Sequence, residues 1–135
     1  MARHEVELVE ALTVLTADAG LIVAPWIGDH HGDHEACGRA AAAAARTTRC
    51  PVRHGLFWSW SLGSPGAPPF IEMTHLDLTP NERRTRSQAL ACHQSQITDD
   101  LASPMLTTAD LEPLGWSAEY YVTNDITSDI TTDAR

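Results

Sequence analysis

The chain has 135 residues, the length of one domain, and its 43% apolar content is too high for a wholly disordered protein. The formal net charge of −9 argues against a nucleic-acid partner, because phosphate contacts need a basic face. The sequence shows no apolar stretch near the ~18 residues of a membrane span and no signal-peptide core, and its cysteines lack a C-x-x-C spacing. We therefore expect no membrane partner and a cytoplasmic location.

The first half of the chain predicts two helices and two strands. Apolar residues at helical spacing predict an amphipathic helix over 4–17, and the continuously apolar run 21–24 predicts a buried strand. After a loop, an alanine-rich segment predicts a helix over about 34–46, with Asp33 as its N-cap. Residues 52–60 have the aromatic and apolar composition of a second strand.

The clearest helix start in the second half is a capping box. Thr79 and Glu82 stand at capping-box spacing with Pro80 at the first helical position, which predicts a helix from there to about residue 96. The other elements predicted for this half are a loop over 61–69, strands over 71–78 and 118–122, a short helix near 107–112, and a disordered polar tail over 123–135. Residues 1–122 are thus expected to form the folded domain.

This order of elements predicts an α/β fold with a mixed sheet. Strands and helices alternate through most of the chain, as is typical of sheets covered by helices. The first half nevertheless supplies fewer strands than a parallel sheet with helices on both faces normally has. We therefore expect a partial sheet that lacks some of its strands.

The densest group of chemically active side chains lies between the first strand and the alanine-rich helix. Six of the seven residues from Asp29 to Glu35 can bind a metal or move a proton. His31 and His34 stand three apart with Asp33 between them, and open α/β sheets bind ligands beyond the carboxyl ends of their strands. A zinc hydrolase needs about three protein ligands, a carboxylate to take the proton of the metal-bound water, and a group that stabilises the oxyanion. The segment therefore predicts a metal-assisted hydrolytic site.

Three segments, taken in order, resemble one protein family. Residues 31–41 read His-Gly-Asp-His-Glu-Ala-Cys-Gly-Arg-Ala-Ala, similar to a His-Pro-Asp-His motif that opens a helix of small residues. Residues 58–60, Trp-Ser-Trp, are similar to an aromatic strand ahead of a Pro/Gly loop. Residues 76–79, Leu-Asp-Leu-Thr, and 89–96, Ala-Leu-Ala-Cys-His-Gln-Ser-Gln, are similar to a later segment of the family. Over about residues 18–122 the chain resembles the PIG-L/LmbE-like N-acetylglucosaminyl de-N-acetylases.

The resemblance implies a fold, an activity and roles for three residues. The implied fold is a partial Rossmann-like (LmbE-like) three-layer sandwich with a mixed sheet. The implied activity is zinc-dependent N-deacetylation, the hydrolysis of the amide of an N-acetyl amino sugar or a related N-acyl substrate. By the resemblance His34 is a zinc ligand, His31 assists the tetrahedral intermediate, and Asp33 orients His31. Gly32 stands where the family has proline, which removes no functional group.

The resemblance also implies that part of the family's site is missing from this sequence. Family members carry an earlier His-Pro-Asp-Asp-Glu-like motif that supplies two zinc ligands and the general base, whereas the only Asp-Asp pair here is Asp99-Asp100. The chain is therefore expected to correspond to the C-terminal half of such an enzyme, truncated before its N-terminal strands and with an incomplete ligand set for Zn²⁺. A separately encoded N-terminal half would complete the site. The alternative partner is a second copy of this chain, in a homo-oligomer.

Two classes of function remain open from the sequence. The first is the deacetylase, and the alternative is a non-catalytic truncated relic or a weak divalent-metal-binding protein. Asp29 and His30 are near enough in sequence to be substitute ligands, although neighbours on one loop seldom arrange tetrahedrally. Structural roles are expected for several other side chains, with sugar stacking an equal alternative for the first of them: Trp26, Trp58, Trp60, His75 and His93.

Overall fold

The sheet and helices of the chain are seen in a computed structural model that describes residues 2–61, 72–97 and 106–123. Its helices are α1 (Ala2–Leu15), α2 (Gly32–Thr48), α3 (Trp58–Ser61), α4 (Pro80–Ala91), α5 (Gln94–Ile97) and α6 (Thr108–Leu111), the last continued by a 3₁₀ turn (Glu112–Gly115). Its strands are β1 (Ile22–Pro25), β2 (Val52–Gly55), β3 (Met73–Asp77) and β4 (Ala118–Val122). Within these ranges no helix combines the length and the apolar content that a membrane crossing needs.

The four strands form one open, mixed sheet in the order β1-β2-β4-β3. β1 and β2 are parallel, and α2 makes the crossover between them, as parallel neighbours require. β4 lies antiparallel to both β2 and β3. Among the described residues β1 pairs with β2 alone, so it forms one edge of the sheet. The predicted α/β class and mixed sheet are confirmed.

The core lies between the parallel strands and α2, and its side chains are small. The buried cluster consists of Ile22, Ala24, Ala41, Ala45 and Cys50. Because alanine carries only a methyl group, α2 approaches the sheet closely, and α1 packs in turn on α2. Gly38 lies at the closest approach, where an added Cβ would stand 2.5 Å from the Pro25 carbonyl oxygen.

The opposite face of the sheet is largely exposed in the described part of the chain. Val23 on β1 and Leu76 on β3 point to this face and remain 58% and 57% exposed. Side chains alternate along a strand, so their neighbours Ala24 and Asp77 point the other way. The described residues therefore show one helical layer, of α1 and α2, on the sheet. The Rossmann-like three-layer sandwich stays a prediction.

The second predicted strand is only half as long as expected. β2 ends at Gly55, and Trp58–Ser61 turns into the short helix α3, so the prediction of a strand over 52–60 is wrong beyond Gly55. The reason is tertiary: the backbone N–H groups of residues 57–59 donate to the side chain of Asp29 and not to a neighbouring strand. Trp58 and Trp60 consequently do not share one strand face.

The predicted capping box is confirmed at the start of α4. The Thr79 hydroxyl accepts from the Glu82 backbone N–H, and the Glu82 carboxylate accepts from the Thr79 backbone N–H at 2.8 Å. The helix ends earlier than predicted, at Ala91. Cys92 and His93 donate to carbonyls three residues back, at 3.1 and 2.9 Å, and this tighter turn separates α4 from α5.

Replacing Thr79 with alanine is expected to lower the free energy of unfolding by about 1 kcal/mol, because the first turn of α4 loses its side-chain acceptor. Urea unfolding followed by circular dichroism measures the change. Thr85→Ala is the matched control, since the Thr85 hydroxyl bonds only to a carbonyl of its own helix, at Asn81. Equal losses in the two variants would contradict the capping role.

The remaining boundaries agree with the sequence to within a few residues. The helices over 4–17 and 34–46, the strand over 71–78 and the short helix near 107–112 are all found, and β4 matches its predicted range of 118–122. The predicted loop lies outside the described residues from 62 onward, and the predicted disordered tail does so from 124 onward.

Candidate functional site

The His/Asp segment lies at the carboxyl ends of the two parallel strands. It follows β1 directly, and the turn of residues 57–59 follows β2. Because parallel strands end at the same rim of a sheet, the two segments meet there. His34 lies in the first turn of α2 and lines a shallow depression together with Pro25, Gly55, Leu56 and Phe57.

Asp29 holds the two segments together. Its carboxylate is fully buried and accepts hydrogen bonds from the backbone N–H groups of Phe57, Trp58 and Ser59 at 2.9, 3.1 and 3.0 Å. The same carboxylate lies 2.6 Å from Nδ1 of His34. A buried carboxylate with four donors around it is fully satisfied, so Asp29 fixes both the turn and the histidine ring.

The electrostatics favour an ionised Asp29. Burial alone raises the pKa of this carboxyl. The hydrogen bonds from His34 and from the three backbone N–H groups together lower the pKa by more than burial raises it, so the net pKa lies below the ordinary value. Asp29 is therefore a carboxylate at neutral pH and can only accept hydrogen bonds. Nδ1 of His34 must then carry a proton, which leaves Nε2 of a neutral ring as a free electron-pair donor.

His31 packs beside His34. Its ring centroid lies 4.7 Å from that of His34, and its Nδ1 is buried without a hydrogen-bond partner among the described residues. The two imidazoles therefore lie side by side at the carboxyl ends of the parallel strands.

The start of α2 differs from the sequence prediction. The N-cap is His31, with φ −133° and ψ 120° and no side-chain capping bond, so the prediction that Asp33 caps the helix is wrong. Buried Asp29 and the left-handed backbone of His30, at φ 57°, set the path of the loop so that the helix begins two residues earlier than predicted, at Gly32. Asp33 lies exposed in the first turn, where its charge still favours the helix dipole.

Aromatic rings surround the histidine pair. Trp58 stacks on His31 with 6.2 Å between ring centroids, and Phe57 meets His34 edge-on at 5.9 Å. Phe57 is partly exposed at the rim of the depression. Trp26, by contrast, is buried and packs over Gly28, so its ring face does not stack on a sugar in this conformation.

The described residues do not supply a complete metal site. Nε2 of His34 is a suitable zinc ligand, since its ring is oriented by a carboxylate as ligating histidines usually are. Within residues 2–61, 72–97 and 106–123, however, no three His, Cys, Asp or Glu side chains come together to hold a metal ion. Asp29 is used by its four donors and His30 is exposed on the loop. This set does not fit a complete catalytic zinc site, which needs about three ligands.

Comparison with protein-family models, with curated proteins and with solved structures finds no significant match to this chain.

Asp29 is the residue whose role the sequence analysis missed. Its place in the sequence indicates a substitute ligand, whereas the structure places it behind His34 as the group that orients the ring. A usable signal was present, because an acidic residue between a buried strand and a helix start must be paired if it is buried. Among the other side chains, His75 and His93 are both exposed, and Cys37 is partly buried in α2.

Proposed function

We propose that the chain is the histidine-bearing part of a zinc-dependent N-deacetylase, a hydrolase that cleaves the amide of an N-acyl amino sugar. The observation that carries the proposal is the buried Asp29 carboxylate at 2.6 Å from Nδ1 of His34, which leaves Nε2 of that ring free as a metal ligand. The family resemblance of residues 31–41 supplies the reaction and the substrate class.

The chemistry of this chain's own residues is limited to two tasks. Bound zinc would supply Lewis acidity and an activated water in such an enzyme. His34 would contribute one ligand atom to it. His31 would donate a hydrogen bond from a protonated ring nitrogen to the oxyanion. Asp33 would orient the His31 ring.

The incomplete ligand set defines what else the proposal needs. Further ligands would come from a polypeptide that adds to the sheet beside β1, which forms an edge in the described part of the chain, or from a second copy. A strand added there would extend the sheet towards the proposed Rossmann-like sandwich. The partner is thus a separately encoded N-terminal half or a homo-oligomer.

A second candidate is favoured by the same ligand shortage. A non-catalytic chain that binds a divalent metal weakly through His34 needs no further residues. The two candidates differ in one respect that experiment reaches directly: only the deacetylase releases acetate.

Zinc binding by the purified chain is expected to depend on His34, and equilibrium dialysis measures it. His34→Ala should lose the bound zinc, while His93→Ala, which removes an exposed histidine of the α4–α5 break, should retain it. Acetate release from N-acetylglucosamine with zinc present, lost in His31→Ala, supports the deacetylase. His34-dependent zinc binding without acetate release, from the chain alone and from the chain with any polypeptide that co-purifies with it, supports the second candidate. Zinc binding that His34→Ala leaves unchanged rejects both.

A further inference from the structure

The two edges of the sheet differ in how they are protected from other chains. In the described part of the molecule, β1 forms one edge and β3 the other. β3 carries His75 and Asp77, whose largely exposed side chains lie 3.8 Å apart. Polar and charged side chains of this kind discourage an edge strand from pairing with another chain. Residues 21–25, which form β1 and the position before it, have no charged or hydrogen-bonding side chain, so β1 is the less protected edge.

The backbone of Val23 faces the open side of β1. The backbone N–H groups of Ile22 and Trp26 donate towards β2, at 2.9 and 2.8 Å. Because the backbone groups of successive strand residues point to alternate sides, the N–H and C=O of Val23 point away from β2. Pro25 lies on the same side as Val23 but has no N–H. Among the described residues, Val23 therefore presents a donor and an acceptor that no strand pairs with.

The side chains beside this edge are apolar and exposed. Leu21 and Val23 keep 50% and 58% of their surface exposed, although Ile22 and Ala24 between and after them are buried in the core. Val23 points to the sheet face opposite the helices, where the described residues leave it uncovered. Exposed apolar surface next to unpaired backbone groups is a template for a further strand. A strand placed here would bury Val23 and satisfy its N–H and C=O together.

We propose that β1 pairs with β1 of a second copy of this chain, antiparallel about a two-fold axis at Val23. The two-fold makes the contact self-complementary, because the Val23 N–H of each copy donates to the Val23 C=O of the other. Hydrogen-bonded antiparallel partners have Cα atoms about 5.5 Å apart, so the two exposed Val23 side chains meet on one face of a continuous sheet. Leu21 of each copy lies beside Pro25 of the other. A longer foreign strand would gain little, since Pro25 offers it no N–H.

This pairing does not complete the site at His34. Two antiparallel β1 strands end at opposite rims of the joined sheet, so the His34 side chains of the two copies lie at opposite ends of the contact. A second copy held in this way brings no metal ligand to His34. It also occupies the edge at which the polypeptide of the proposed function would add, so the dimer and that complex exclude each other. The dimer itself rests on the geometry of the edge and does not require the deacetylase reaction.

Sedimentation equilibrium of the purified, metal-free chain measures the association, and the expected mass is twice that of one chain. An ionic strength of about 0.15 M screens charges more than ~8 Å apart, which weakens the repulsion between two copies of net charge −9. Val23→Pro removes the edge N–H without removing a bond to β2, and should raise the dissociation constant at least about tenfold. Leu76→Lys changes a similarly exposed side chain on the same sheet face, at the β3 edge, and should leave the constant unchanged.

A chain that stays monomeric up to about 1 mM overturns the proposal, because even a weak complex would form at that concentration. A dimer that Val23→Pro leaves intact, or that Leu76→Lys disrupts equally, overturns it too. If Val23→Pro does not fold by circular dichroism, Val23→Lys replaces it with the same expectation, since like charges directly opposite each other destabilise a strand pair. The test contains no zinc and no substrate. Its failure leaves the proposed deacetylase standing, and failure of the zinc test leaves the dimer standing.

Discussion

Asp29→Ala is expected to lower the free energy of unfolding by about 3–5 kcal/mol, the largest loss among the variants considered. The substitution leaves three backbone N–H groups, of Phe57, Trp58 and Ser59, without their acceptor in a buried place. It also releases the His34 ring. Chemical denaturation at neutral pH, with the slope checked for constancy, measures the loss.

Two further variants serve as comparisons for Asp29→Ala. Asp29→Asn keeps the size of the side chain and one good acceptor oxygen, so its loss is expected to be intermediate. Asp33→Ala removes a neighbouring but exposed carboxylate and is expected to cost less than about 1 kcal/mol, through the helix dipole alone. A loss in Asp33→Ala equal to that in Asp29→Ala would show that burial of Asp29 is not what stabilises the loop.

Gly38→Ala is expected to destabilise the protein by about 1–3 kcal/mol, although alanine is the better helix former by about 1 kcal/mol. The new Cβ would lie 2.5 Å from the Pro25 carbonyl oxygen and 3.0 Å from Cγ2 of Ile27. The first of these is backbone at the end of β1 and cannot rotate away. The helix must therefore move off the sheet, which thermal unfolding would register as a lower midpoint.

The matched control for Gly38 is Gly20→Ala. A Cβ at Gly20 meets nothing within 4 Å, so this variant is expected to stay within about 0.5 kcal/mol of the unaltered chain. If Gly38→Ala were as stable as Gly20→Ala, the close approach of α2 to β1 would be looser than the geometry indicates. Zinc binding by Gly38→Ala, measured beside stability, would show whether the displacement reaches His34.

Local signals predicted most of the fold because they act within a few residues. The capping box at Thr79 depends on neighbours in the chain and was found where predicted. The apolar run before Pro25 does form a strand, Ile22–Pro25, but Val23 is 58% exposed, so the prediction that this strand is buried on both faces is wrong for the described residues. The failures came from contacts across the fold. The aromatic composition of residues 52–60 favours a strand, yet the buried carboxylate of Asp29, 28 or more residues earlier, draws the backbone of residues 57–59 into a turn.

The sequence predicted the position of the candidate site in the fold but not the contacts within it. A His/Asp cluster after a buried strand indicates the carboxyl rim of the sheet, and His31 and His34 do lie there side by side. The sequence did not reveal that Asp29 supports His34, because that role depends on burial and on three backbone donors from another segment.

The three backbone N–H groups that donate to Asp29 can report by NMR on what binds at His34. The amides of Phe57, Trp58 and Ser59 share their acceptor with His34, so any ion or molecule that draws electron density from that imidazole also changes the field these amides feel. Their proton and nitrogen resonances, read in a uniformly ¹⁵N-enriched chain, should therefore shift together on occupancy, without a mutation. A screen of small-molecule libraries needs only those three signals.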